Sequence, residues 1–84
     1  MTTSATPFIG IKPTLEVVKN ARLRHIARTG FMPSTLTMTD NNVKEFNAEV
    51  FSNYQLNPET PIVEFQGMRI LRSPDLQENE WIMA

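Results

Sequence analysis

The chain of 84 residues contains no cysteine, which excludes a disulfide framework, a thiolate zinc site and a cysteine nucleophile. Histidine occurs once, at His25, so a histidine-rich zinc or copper centre is excluded as well. Three glycines, scattered at 10, 30 and 67, cannot build a phosphate-cradling loop of either nucleotide-binding type. No serine lies in a G-x-S-x-G context. The longest apolar runs are about four residues, too short for a membrane span or for the core of a signal peptide. The carboxylate neighbours Glu45/Glu49 and Glu78/Glu80 fall on an expected helix surface and a loop, where water solvates them rather than setting up an acid/base pair. Without these devices no catalytic chemistry is expected, and no cofactor or metal.

What remains is the composition of one small globular domain. Apolar residues make up 40% and charged residues 20%, too balanced for intrinsic disorder. The length allows a single domain, a chain that buries only roughly 60–65% of its unfolded surface, so modest stability is expected unless a partner adds to it. The formal net charge of −1 hides a polarity. Residues 1–38 carry Lys12, Lys19, Arg22, Arg24 and Arg28 against Glu16, a net +4, whereas residues 39–84 carry three cations against eight anions, a net −5. Either the halves neutralise each other through weak exposed pairs, or one face meets an oppositely charged partner.

Residues 1–13, MTTSATPFIGIKP, are punctuated by Pro7, Gly10 and Pro13 too often for a regular element. They read as an extended arm with Phe8, Ile9 and Ile11 as its apolar anchors, leaving 14–84 as the domain. Pro13 and Thr14 open a helix that runs to Thr29, with Gly30 as its left-handed stop. Glu16 near its start and Arg24, His25 and Arg28 near its end suit the helix dipole. Leu15, Val18, Ala21 and Ile26 form its apolar stripe, with His25 at the margin and Arg22 intruding. The bland reading of Arg22 is a stem laid along apolar surface with its head in water. The alternation in Ser34–Met38 predicts a strand with Leu36 and Met38 on one face. Asp40 or Asn42 is then expected to cap a second helix, Asn42 and Glu45 having the spacing of a capping box. Val43, Phe46, Val50, Phe51 and Tyr54 recur at helical spacing and predict its core face. After the break at Asn57–Pro61, strands are expected over Ile62–Phe65, Met68–Arg72 and Trp81–Met83. Gln66-Gly67 joins the first two as a hairpin turn, or Gly67 marks a bulge in one long strand. Ser73-Pro74-Asp75 reads as a turn.

The run Val63-Glu64-Phe65-Gln66-Gly67-Met68-Arg69-Ile70, followed by Ser73-Pro74-Asp75-Leu76 and by Trp81-Ile82-Met83, resembles a β-hairpin style common in small tailed-bacteriophage proteins. It covers about a quarter of the chain. The resemblance implies a phage protein, either a virion component or an inhibitor of host machinery, placed in the host cytoplasm or the virion.

The expectation is therefore an α+β fold: two helices packed on a small antiparallel sheet whose last three strands form a meander, preceded by an extended N-terminal arm. The expected function is a non-enzymatic protein–protein interaction module. Phe8, Ile9, Ile11, Arg22, Arg24 and Arg28 are the candidate partner-binding residues, facing a protein with an acidic surface, and a homo-oligomer or virion assembly is open. The alternative is a nucleic-acid-associated regulator using the basic helix 14–29. Against it, Arg22 and Arg24 project about 200° apart at 3.6 residues per turn, and no aromatic interleaves them to stack on bases.

Overall fold

The computed structural model of the chain describes residues 5–54 and 63–84, without the side chains of residues 53 and 54. Its elements are β1 (Thr6–Ile9), α1 (Leu15–Thr29), β2 (Thr35–Met38), α2 (Asp40–Tyr54), β3 (Glu64–Phe65), β4 (Met68–Arg72) and β5 (Glu80–Met83). The fold is α+β, two helices with one five-stranded sheet in the order β1-β5-β2-β4-β3. Helix α1 starts and stops where its capping residues dictate. The Thr14 hydroxyl accepts from the Val17 N–H at its entrance, and Gly30 at φ 78° closes it with a bond to the Ile26 carbonyl.

Three expectations about the sheet need correction. The last three strands are not a meander: β5 leaves β4, passes β2 and inserts between β1 and β2. Nor is the sheet wholly antiparallel, because β2 and β4 run parallel, with Leu36 opposite Ile70. Parallel neighbours need a long crossover, and α2 with the hairpin strand β3 supplies it. The arm, finally, contains a regular element. Residues 6–9 pair antiparallel with β5, Phe8 opposite Trp81, as the outermost strand of the sheet. A sheet edge is where proline is tolerated, since its missing N–H interrupts no ladder on the open side; Pro7 therefore does not break the strand.

The hairpin between β3 and β4 is present. Gln66 and Gly67 both have positive φ, 49° and 83°, as a two-residue primed turn demands. Ser73-Pro74-Asp75 turns as expected, with the Asp75 N–H donating to the Ser73 hydroxyl.

Both helices cover the same face of the sheet. Leu15, Val18 and Ala21 of α1 and Val43, Phe46 and Val50 of α2 share one buried cluster with Leu36, Met38, Phe65, Met68, Trp81 and Met83. Phe46 meets Phe65 edge to face at 5.2 Å, the geometry aromatic pairs favour. Phe51 is buried too, whereas the expected role of Tyr54 and the strand start at Ile62 lie outside the described side chains and residues. The alternate residues, among them Ile9, Thr37, Arg69 and Leu71, point away from the helices.

The N-cap of α2 is Thr39, in place of the expected Asp40 or Asn42: its hydroxyl accepts from the Asn42 N–H at 3.1 Å. Asn42 is buried and engaged elsewhere. Its side-chain oxygen accepts from the Asn79 N–H at 2.8 Å and its amide nitrogen donates to the Asn79 side chain. The Asn79 carbonyl in turn accepts from the Gly10 N–H. One buried asparagine thus joins α2 to the turn before β5, and that turn holds the end of β1. Glu45 is occupied differently from a capping box, by Lys12 at 2.7 Å and by the Asn41 amide.

Candidate partner-binding site

The six candidate residues do not form one patch. Phe8, Arg24 and Arg28 converge on a cavity of about 230 Å³ between α1 and the β1–β5 edge, lined also by Thr6, Ala21, His25 and Met83. Strand alternation explains the β1 side: Thr6 and Phe8 point toward the helices, while Ile9, 71% exposed, points the other way. Helical spacing explains the α1 side, since residues 21, 24, 25 and 28 share one flank at i, i+3, i+4 and i+7. Arg22 lies on the opposite flank, where its Nε donates to the Gln66 carbonyl of the hairpin turn at 3.1 Å. The about 200° that separates it from Arg24 on the helix thus places these two arginines at opposite edges of the sheet.

The arm is fastened by its own aromatic and backbone. Phe8 stacks on Trp81 with ring centroids 4.0 Å apart and 10° between planes. The fully buried Trp81 donates its indole N–H to the Ile11 carbonyl at 2.7 Å. The Ile11 side chain itself stays exposed.

At the cavity, the Arg28 guanidinium donates to the Thr6 hydroxyl. Arg24 has neither an ion pair nor a hydrogen bond among the described residues. Two like charges at i and i+4 repel by about 0.2–0.5 kcal/mol on an exposed helix face, and an anion seated between them would reverse that sign. The acidic groups that were the alternative partners for these arginines are taken: Glu78 accepts from the Asn41 amide at 2.8 Å and Glu80 from the Gln77 N–H at 2.8 Å. Lys12–Glu45 is an ion pair that links the basic and acidic parts of the chain; Lys44 and Arg72 both pair with Asp40.

His25 corrects the expected stripe of α1. It is buried, only 3% exposed, and its place at the margin goes to Ile26, which is half-buried. Its Nδ1 is enclosed with no hydrogen-bond partner among the described residues. Burial, assisted by the nearby Arg28 charge, holds the imidazole below its ordinary value of 6.5 and so favours the neutral ring at pH 7. Sequence reasoning named the two arginines but passed over the histidine between them. The i, i+4 spacing from Ala21 to His25 was the available signal.

Comparison with protein families, with curated proteins and with solved structures gives no match, so the geometry alone supports a functional reading. Among the described residues, no helix is long and apolar enough to cross a membrane.

Proposed function

We propose that the chain is a non-enzymatic protein–protein interaction module whose binding surface is the cationic flank of α1 together with β1, and whose partner presents acidic side chains. The observation that carries this reading is Arg24: a cation with no partner among the described residues, one turn from Arg28, at the rim of a cavity floored by Phe8, Ala21 and Met83. Arginine beside aromatic and aliphatic surface is the combination that dominates protein interfaces. The cavity is smaller than the roughly 300–1,000 Å³ of pockets that take organic ligands and cofactors, which favours a side-chain-sized group of a macromolecule. Ile9 at the end of β1 and Ile11 just beyond it are exposed but lie outside the cavity lining, and Ile9 faces the opposite side of the sheet. The C-terminal hairpin style supports a phage-encoded role, in virion assembly or in blocking a host protein, in the host cytoplasm or the virion.

The test is affinity capture from infected cells with the wild-type chain and with the Arg24→Glu/Arg28→Glu pair. The expected result is one specific protein retained by the wild type and lost by the variant at an unchanged melting midpoint. Retention of that protein by the variant would refute the reading. Binding of random-sequence DNA with a steep salt slope, lost in the same variant, would transfer the surface to nucleic acid.

A further inference from the structure

Resting on the module reading above, we infer that the cavity between α1 and β1 is a receptor for a single carboxylate, an Asp or Glu side chain of the partner, and that His25 takes up a proton as the carboxylate enters. Four placements support this. Arg24 and Arg28 stand one turn apart on one wall, so each brings charge-assisted N–H donors to a carboxylate seated between them. The Thr6 hydroxyl, across the cavity on β1, already holds Arg28 by accepting from it, which orders that guanidinium before a ligand arrives. Phe8, Ala21 and Met83 line the remainder with apolar surface, suited to the methylene stem of an acidic side chain rather than to a fully hydrated ion.

His25 is the fourth. It lines the cavity, is enclosed, and keeps a ring nitrogen without a partner among the described residues. Among the described residues that line the cavity with it, the charged groups are Arg24 and Arg28 from α1; Thr6 and Phe8 of β1, Ala21 of α1 and Met83 of β5 carry no charge. With the cavity free of anion, burial opposes protonation and the Arg28 charge adds to that opposition. A carboxylate placed between the arginines cancels their field and adds an attractive charge of its own, so the imidazole titrates higher in the complex than in the free protein. By linkage, affinity for the carboxylate rises as pH falls through the interval between the free and bound titration points.

His25 is the sole histidine, so its ring signals in an NMR titration are unambiguous. The full chain is titrated with monomethyl glutarate, one carboxylate on a three-carbon stem, and the His25 titration curve is recorded with and without it. Saturable binding is expected, with the His25 midpoint moving up and affinity falling roughly tenfold or more in Arg24→Gln, the loss of a charge-assisted hydrogen bond. Arg24 is exposed, so this variant keeps the fold. His25→Gln should bind with an affinity independent of pH between 5 and 7, roughly the range of histidine titration. No saturable shift, an unmoved midpoint, or equal binding by Arg24→Gln overturns the inference. So does inorganic phosphate binding where monomethyl glutarate does not. If monomethyl glutarate fails while partner capture still depends on Arg24, the carboxylate receptor is refuted and the interaction module stands.

Discussion

Replacing Phe8 by alanine separates an arm that is part of the fold from one that merely accompanies it. Phe8 is half-buried, and its ring lies flat on Trp81 at 4.0 Å. Full burial of a phenylalanine is worth about 3–5 kcal/mol on truncation; half of that, with part of the about 0.5–1.5 kcal/mol specific to a stacked pair, gives about 2–3 kcal/mol. In a domain of this size each kcal/mol moves the midpoint by about 4–8 °C, so Phe8→Ala should melt roughly 10–20 °C lower. Ile9, one residue along and facing outward, is the internal control: Ile9→Ala should lie within about 0.5 kcal/mol of wild type. Thermal melts followed by near-ultraviolet circular dichroism, which reports the packing of Trp81, measure both. Equal midpoints for the two variants would refute the register of β1 on β5 and with it the whole placement of the arm.

Other substitutions probe the core, the turn, the asparagine link and the histidine. Phe46→Ala, at the centre of the face that α2 turns to the sheet, should cost about 3–5 kcal/mol; an unchanged urea midpoint would contradict that packing. Gly67→Ala should destabilise by about 1–2 kcal/mol through its positive φ alone, because the added Cβ would find Met32 Cε at an ordinary 3.7 Å; a neutral result in denaturant melts would mean the turn relaxes to another form. Asn42→Ala leaves the Asn79 N–H without its acceptor and should cost about 1–3 kcal/mol, with faster amide exchange at Gly10 and Asn79 than at Val18. As for pH, the lowered His25 titration point means the unfolded chain binds a proton first as pH falls. Stability should therefore decline from pH 6.5 downward and level off below the folded titration point. His25→Gln should flatten that slope, and an equal slope in both proteins would assign it to other groups.

The helices were legible because their signals are local. Thr14, Gly30 and the 3.6-residue period from Val43 to Phe51 each act within a few residues of themselves. The sheet order was hidden because its decisive pairings are remote: β5 chooses both β1 and β2 over its sequence neighbour β4. A four-residue strand carries too little pattern to announce its partner. The cap of α2 was misread for the same reason, since Asn42 is committed to Asn79, 37 residues away. At the candidate site, the pairing of Arg24 with Arg28 and the divergence of Arg22 followed from helix geometry. His25 in the cavity did not, because only the strand that packs beside it makes that flank of α1 an inside.

The pairing of β1 with β5 sets an order of events on the ribosome. Ile11 and Trp81, which share a hydrogen bond, stand 70 residues apart, and β2 has β5 and β4 as its two neighbours. While the chain is being synthesised, β3 and β4 follow β2 and supply its neighbours on one side, but the other side of β2 stays open until β5 emerges. Contacts of such separation carry a loop-closure cost before any return, so the sheet closes only after residue 83 has left the exit tunnel. Pausing or truncating translation within β5 should yield a chain recognised by chaperones rather than a smaller working domain.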